Sequence, residues 1–141
     1  MLTLVSDGTA LTALDFTQTQ EKPINHDLPI FVETRRWLDG YFSGMNPGFL
    51  PPLNPQGTPF QQKVWQELLN IPYGTTVSYG EIARRIGCRS AQAIGQAVHR
   101  NPIAILIPCH RVIGADGSLT GYASGLDMKR CLLQLEKHIL G

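Results

Sequence analysis

The chain has 141 residues, 43% of them hydrophobic, and a formal net charge of +1 at pH 7, so it can form one ordinary core or two small packed domains. Its three cysteines, Cys88, Cys109 and Cys131, are odd in number and widely spaced, which excludes a disulfide framework and a paired metal-ligand pattern. No apolar run is long enough for a membrane, and residues 1–20 lack the pattern of a signal peptide. We therefore expect a soluble, cytoplasmic protein with no membrane partner and no metal site.

The first 57 residues predict a small scaffold of strands and one helix. Residues 2–5 and 11–16 are short β-like runs separated by a turn at Asp7-Gly8. A helix is predicted from about residue 29 to residue 42, because core-type side chains recur at helical spacing. These side chains are Ile30, Thr34, Trp37, Leu38 and Tyr41. The spacing assigns the aromatic residues to the core rather than to a functional site.

A proline-rich connection marks the predicted domain boundary. Residues 46–59 contain five prolines and two glycines, so they are predicted to be extended. We place an N-terminal strand-plus-helix domain, with this connection, in residues 1–57. A mainly helical domain follows in residues 58–141.

The C-terminal domain opens with a predicted helix. Thr58 is a favourable N-cap, and Pro59 suits the first helical position. The helix ends at residues 71–74, where a proline and a glycine follow its last turn. Its predicted apolar face consists of Phe60, Val64, Trp65 and Leu68.

Two short helices come next and form a predicted helix-turn-helix. Ser78 and Glu81 have capping-box spacing for a helix that runs through residue 86 and is closed by Gly87. Ser90 caps the second, recognition helix, which runs to about residue 100 and is stopped by an Asn-Pro pair. The side chains expected to face outward from this helix are small: Ala91, Ala93, Gly95 and Ala97. They would allow close approach to a narrow groove, although small residues also serve close helix packing.

Residues 107–112, Ile-Pro-Cys-His-Arg-Val, hold the strongest chemical signal. Pro108 restricts the backbone before Cys109, and His110 can take the thiol proton. This matters because only the thiolate attacks as a nucleophile. An apolar run, residues 103–107, leads into the segment. Taken alone, the pair is also compatible with a buried structural cysteine.

Charge is shared unevenly along the chain. Residues 1–57 carry three basic and six acidic side chains, whereas residues 58–141 carry nine basic and five acidic ones. Five arginines occur between residues 84 and 111 without an acidic residue: Arg84, Arg85, Arg89, Arg100 and Arg111. Such a run is often only a solvated face, but around a helix-turn-helix it favours contacts with DNA phosphates.

The order of motifs from about residue 58 to residue 136 closely resembles the O6-alkylguanine-DNA alkyltransferases, also called methylated-DNA-protein-cysteine methyltransferases. The motifs are GTTVSYGEIA at 74–83, SAQAIG at 90–95, NPI at 101–103, IPCHRV at 107–112, GY at 121–122, GL at 125–126 and LLQLE at 132–136. The resemblance implies an α+β fold with an N-terminal ribonuclease H-like domain and a C-terminal winged helix-turn-helix domain that carries the active-site cysteine. Residues 1–4 match the second strand of the family's opening hairpin, which implies that the first strand is missing.

The resemblance also implies a reaction. The protein would bind double-stranded DNA through the minor groove, as a monomer without a cofactor, and flip O6-alkylguanine out of the duplex. O4-alkylthymine is a second candidate lesion. The alkyl group would pass irreversibly to Cys109, so each molecule would act once. The resemblance implies that His110 takes the thiol proton of Cys109 through a water molecule and that Glu136 orients His110. It also implies that Asn101 braces the active-site turn.

Recognition of the base is implied for further positions. Tyr79 would reach guanine N3 and crowd the 3′ phosphate. The carbonyl groups of Cys109 and Val112 would accept from the exocyclic amine, the Ala123 amide would donate to O6, and Tyr122 would form part of the pocket wall. The remaining residues expected to contact DNA are Ala91, Gln92, Gly95, Arg100 and Arg111.

Two positions depart from the family pattern. Gln92 stands where many members carry an intercalating arginine, which puts the strength of base flipping in doubt. Ala123 stands where some members have serine, which removes a hydroxyl near O6. The zinc ligands that some members carry near the N-terminus have no counterpart in this sequence.

Three other functions compete with this interpretation. A non-catalytic alkyltransferase-like DNA binder would keep the helix-turn-helix, but such proteins replace the cysteine, so Cys109 argues against it. A small cysteine hydrolase would need an oxyanion hole, which no pattern suggests. The third is a regulator with a winged helix-turn-helix.

Overall fold

The structure, a computed structural model, describes residues 3–15, 28–117 and 125–140. Its elements are β1 (Thr3–Ser6), β2 (Leu11–Asp15), α1 (Pro29–Phe42), α2 (Pro59–Leu69), β3 (Val77–Ser78), α3 (Tyr79–Ile86), α4 (Ala91–His99), a 3-10 turn (Cys109–Arg111), β4 (Val112–Ile113) and α5 (Leu126–Leu140). The expected α+β class is confirmed. Within the described ranges, no helix is both long and apolar enough to cross a membrane.

The N-terminal hairpin is hydrogen-bonded to the proline-rich connection. Strands β1 and β2 pair in antiparallel fashion, with Thr3 opposite Asp15. In the turn, the Asp7 carboxylate accepts from the Asn54 side chain at 2.9 Å and from the Thr9 and Ala10 amides at 2.9 Å each. These hydrogen bonds, that from Asn54 first, hold the pKa of Asp7 well below its usual range.

Helix α1 has the bounds that the sequence predicts. Pro29 occupies its first turn, and all five predicted core positions are buried. Within the helix, the rings of Trp37 and Tyr41 stack with centroids 5.3 Å apart and planes 10° apart. This stacking fixes the direction of the Tyr41 side chain.

Helix α2 begins with a complete capping box. The Gln61 amide donates to Thr58 Oγ1 at 3.1 Å, and the Thr58 amide donates to Gln61 Oε1 at 2.9 Å. Val64, Trp65 and Leu68 are buried, as predicted. Phe60 is 37% exposed, so the buried face of this helix is one turn shorter than expected.

Helices α3 and α4 form the two helices of the predicted helix-turn-helix. Ser78 Oγ accepts from the Glu81 amide at 3.1 Å, whereas the Glu81 carboxylate accepts from Arg85 instead of closing a capping box. Gly87 ends α3 in the left-handed conformation, with φ of 71°. Ser90 Oγ caps α4 by accepting from the Ala93 amide at 3.1 Å.

The expectation that Ala97 faces outward is wrong. Ala97 is buried on α4, one turn after the buried Ile94, so both residues belong to the core stripe. Its carbonyl accepts a hydrogen bond from Trp65 Nε1 at 2.9 Å, which ties the recognition helix to α2.

A single hydrophobic core crosses the boundary predicted at residue 57. The Leu14 amide donates to the Pro102 carbonyl at 2.9 Å, and the Ala104 amide donates to the Leu14 carbonyl at 3.1 Å. Strand β2 therefore lies against the segment that leads to Cys109. The short parallel ladder of β3 and β4 pairs Val77 with Val112, which places the start of α3 next to the turn that carries Cys109. The division into two domains stays a prediction.

Candidate active site

The turn that carries the cysteine is built on a buried, strained approach. Residues 103–107 are buried, and Ile105 has φ of 72°, a left-handed conformation that β-branched side chains rarely adopt. Asn101 ties this approach together, because its Nδ2 donates to the Ile107 carbonyl at 2.8 Å and its Oδ1 accepts from the Ile103 amide at 3.0 Å. Asn101 therefore lies where it can brace the approach to Cys109.

The Glu136 carboxylate is the centre of a buried hydrogen-bond network. One oxygen, Oε2, lies 2.5 Å from His110 Nε2 and accepts from the Tyr41 hydroxyl at 2.6 Å and from Arg111 Nη2 at 3.2 Å. The other oxygen, Oε1, accepts from Arg111 Nε at 2.8 Å and from the Gly74 amide at 3.1 Å. Burial alone would raise the pKa of Glu136, but hydrogen bonds from His110 and Arg111 lower it to about 2. Glu136 is therefore ionised at neutral pH.

This network sets the tautomer of His110. An ionised carboxylate can only accept, so His110 donates through Nε2 and leaves Nδ1 as an acceptor. Among the described residues, Nδ1 has no hydrogen-bond partner, although it is buried. Burial lowers the pKa of His110, despite the opposing effect of Glu136. The imidazole is therefore neutral at neutral pH and can take a proton at Nδ1.

The Cys109 thiol is protonated at rest. Its residue is 7% exposed, and this burial raises the pKa of the thiol, although the Asn101 side chain and the Lys129 ammonium lower it in part. The structure therefore describes Cys109 as a thiol rather than as a thiolate already present.

Lys129 is a site residue that the sequence reasoning missed. It is fully buried in α5, its Nζ donates to the Val112 carbonyl at 2.6 Å, and it lies 5.9 Å from the centre of the Tyr79 ring. Burial lowers the pKa of Lys129, while the nearby Cys109 raises it. A sequence signal was available: Lys129 precedes Glu136 by seven residues, two helical turns on the same face.

Tyr79, at the start of α3, lies beside Gly95 of α4, close to the turn that carries Cys109. Tyr79 is the first residue of α3, and a Cβ atom built on Gly95 would lie 3.9 Å from its ring, in ordinary contact. Ala91 and Gln92, at the beginning of α4, and Arg100, at its end, are exposed.

The arginines divide into two groups. Arg84, Arg89 and Arg100 are exposed, and Arg85 is exposed but paired with Glu81 at 3.0 Å. Arg111 differs from the expected DNA contact: it is 8% exposed, with its guanidinium on Glu136 and on the Ile71 carbonyl. It binds the carboxylate because both groups are buried and each needs a partner of opposite charge.

Two expected base contacts lie outside the described residues. They are Tyr122, expected in the pocket wall, and Ala123, expected to donate to O6. Within the described ranges, no group of three or more His, Cys, Asp or Glu side chains is arranged to hold a metal ion.

The family model and the similar proteins of known name point to the same family. Residues 59–138 match the family described as 6-O-methylguanine DNA methyltransferase, DNA binding domain. The methylated-DNA-protein-cysteine methyltransferase of Mycobacterium leprae is 51% identical over 142 residues, which cover 97% of this chain and 86% of the relative. The Haemophilus influenzae protein of the same name is 46% identical over 96% of this chain and 80% of its own length.

Solved structures of similar proteins agree with this family assignment. A crystal structure of Mycobacterium tuberculosis OGT in complex with DNA superposes with a TM-score of 0.85 at 48% identity and covers 98% of this chain and 87% of the solved one. The Schizosaccharomyces pombe Atl1 structure, in complex with damaged DNA containing O6-carboxymethylguanine, gives a TM-score of 0.51 at 34% identity over 58% of this chain and 79% of its own.

Proposed function

The chain belongs to the methylated-DNA-protein-cysteine methyltransferases, and from that membership we propose that it repairs O6-alkylguanine in duplex DNA by transferring the alkyl group to Sγ of its own Cys109. The observation that carries the proposal is the buried Cys109-His110 pair, with His110 held on the Glu136 carboxylate. O4-alkylthymine is a second candidate substrate. The protein would act as a monomer on the minor-groove side of the DNA, in the cytoplasm.

The first step is entry of the damaged base. Cys109 is buried, so a base paired within the duplex cannot reach it and must be rotated out of the stack, at a cost of a few kcal/mol. Exposed Arg84, Arg89 and Arg100 would hold the phosphates, and the small residues at the start of α4 would let that helix approach the groove.

Transfer then needs a proton acceptor and a proton donor. His110 Nδ1 would take the thiol proton, directly or through one water molecule, while Sγ attacks the alkyl carbon. The carbon-sulfur bond forms as the bond from carbon to O6 breaks, and the electron pair of the broken bond passes to the guanine. Tyr79 would donate a proton to guanine N3, so the base leaves neutral. His110 gains one proton and Tyr79 loses one, which keeps the charge of the site balanced.

The reaction would consume the protein. Its product is a thioether, which water does not cleave under physiological conditions, and none of the proposed site residues supplies a second nucleophile to remove the alkyl group. The expected stoichiometry is therefore one alkyl group per protein molecule.

Intact-protein mass measurement tests the proposed function. The protein is incubated with a duplex that contains O6-methylguanine and, separately, with free O6-benzylguanine. We expect one methyl or one benzyl group per molecule, retained after denaturation. Tight binding to damaged duplex without uptake would favour a non-catalytic DNA binder instead.

The exposed arginines predict a salt-dependent affinity for undamaged duplex. Each phosphate contact releases counterions, so substitution of a contacting arginine such as Arg89→Gln should lower the slope of log affinity against log salt by about one. The measurement is a fluorescence anisotropy titration at several salt concentrations. Arg130→Gln is the control, because Arg130 is exposed on α5 and paired with Asp127. Equal slopes for wild type and Arg89→Gln would remove Arg89 from the contact set.

Gln92 predicts weak stabilisation of the flipped state. An arginine at this position would be longer and charged, and would fill the gap left by the extruded base better than glutamine does. Gln92→Arg should therefore speed repair of alkylated duplex several-fold and leave the reaction with free O6-benzylguanine unchanged, because a free base needs no flipping. Single-turnover rates on both substrates measure this. Equal effects on both substrates would show that residue 92 does not act in the gap.

A further inference from the structure

Tyr41 belongs to α1, far from the active-site turn in sequence, yet its hydroxyl reaches the carboxylate that holds the proposed base. The side chain is fully buried, and its hydroxyl donates to Glu136 Oε2 at 2.6 Å. The same hydroxyl lies 3.4 Å from His110 Nε2. Two donors, Tyr41 and His110, therefore meet on one carboxylate oxygen, and one of them comes from the N-terminal part of the chain.

We propose that Tyr41 is a positioning residue for alkyl transfer, which fixes Glu136 Oε2 and so holds His110 with Nδ1 free to accept the proton of Cys109. This inference rests on the proposed function. Arg111 contacts both oxygens of Glu136, and the Gly74 amide holds Oε1. Without Tyr41, the described donors to Oε2 would be Arg111 and His110, so this oxygen could shift toward the guanidinium and away from the imidazole. The Tyr41 hydroxyl opposes that shift, because it donates to the oxygen that His110 also uses.

A neutral donor suits this position better than a charged one. During transfer His110 becomes a cation, and Arg111 already places one cation on the carboxylate. A second permanent cation would disfavour the protonated imidazole, whereas a hydroxyl adds a hydrogen bond without adding charge. By accepting from Tyr41, Glu136 also becomes a weaker base. The Nε2 proton of the imidazolium is therefore not passed on to the carboxylate when Nδ1 receives the thiol proton.

The surroundings of Tyr41 hold the hydroxyl in place. Its ring stacks on Trp37 and makes edge contacts with Phe42 and Tyr73, at centroid distances of 5.4 and 6.0 Å. Burial raises the pKa of Tyr41 far above its usual range, so the hydroxyl remains a donor at any pH at which the protein works. The arrangement is thus rigid in geometry and constant in protonation.

The matched control is Tyr73. Its hydroxyl is buried beside Tyr41 and has no hydrogen-bond partner among the described residues. Tyr41→Phe and Tyr73→Phe each remove one hydroxyl from the same aromatic cluster, but only the first removes a donor to Glu136. A purely structural role of the cluster would affect both variants alike.

The experiment measures single-turnover benzyl uptake from free O6-benzylguanine between about pH 5 and pH 9, with affinity for undamaged duplex measured alongside. For Tyr41→Phe we expect a rate loss of about tenfold, the size of effect for one buried hydrogen bond, with unchanged DNA affinity. The acid limb of its rate profile should move to higher pH, because Glu136 becomes a stronger acceptor and raises the pKa of His110. Tyr73→Phe should keep the wild-type rate and profile.

A second substitution covers the case in which Tyr41→Phe does not fold. Incorporation of 3-fluorotyrosine at position 41 keeps the ring and makes the hydroxyl a stronger donor, so the acid limb should move to lower pH. A profile for either Tyr41 substitution that coincides with the wild type would overturn the inference. Absence of uptake by the wild-type protein would instead overturn the proposed function, so the two failures are distinguishable.

Discussion

Substitution of Cys109 by serine is expected to abolish alkyl uptake and to leave DNA binding unchanged. The serine hydroxyl is close in size but far less acidic than a thiol, so His110 cannot generate the nucleophile. Fold and affinity should survive, because the change alters one buried atom and no exposed arginine. Intact mass after incubation with alkylated duplex measures uptake, and anisotropy measures binding.

The other two cysteines provide the controls. Cys88 is half-buried, with its sulfur accepting from the Ser90 amide at 3.4 Å, and Cys131 is exposed on α5. Neither of them has a histidine next to it in the sequence. Cys88→Ser and Cys131→Ser should therefore take up the alkyl group at the wild-type rate. Alkyl groups mapped by peptide digestion to Cys88 or Cys131 would contradict the assignment of Cys109.

Substitution of Glu136 by glutamine should damage both chemistry and stability. The amide can donate, so it no longer fixes the Nε2-H tautomer of His110, and it leaves the buried Arg111 guanidinium without its counter-ion. We expect a fall in transfer rate of at least about 100-fold, the scale of general-base catalysis. Loss of one partner of a buried ion pair should also lower the free energy of unfolding by roughly 3 kcal/mol.

The pH dependence of stability provides a separate test of Glu136. Its pKa is lowered from an ordinary value near 4.5 to about 2 in the fold, so its contribution is present above pH 4.5 and is lost as pH falls toward 2. Glu136→Gln should therefore show a shallower loss of stability over this range than wild type, measured by urea unfolding. Glu81→Gln removes an exposed ion pair and should cost little in either assay. An unchanged transfer rate in folded Glu136→Gln would remove Glu136 from the mechanism.

The elements with local signals were predictable from the sequence. The helix-turn-helix has the predicted bounds because its caps, Ser78, Gly87 and Ser90, act within one turn of the chain. The neighbours Cys109 and His110 are likewise visible in the sequence. Phe60 and Ala97 were assigned to the wrong surfaces because periodicity identifies a face of a helix but not where its partner surface begins and ends.

The remaining parts of the site depend on tertiary packing. Tyr41 precedes Glu136 by 95 positions, and only the tertiary fold brings the two side chains together. Helical spacing assigned Tyr41 to the core, and it is in the core, but the pattern does not reveal what a buried hydroxyl contacts. Arg111 was counted among the DNA contacts because sequence does not distinguish an arginine that faces phosphate from one that neutralises a buried carboxylate.

Burial of Cys109 also protects the unreacted protein against oxidation and other chemical inactivation of its thiol. A protein that is consumed by one reaction loses its capacity whenever its sulfur is oxidised or meets a stray electrophile. Such reagents attack exposed thiolates first, and Cys109 is 7% exposed and held as the thiol, whereas Cys131 is open to solvent. Oxidation should therefore modify Cys131 before Cys109, so that unreacted protein retains its capacity for alkyl transfer.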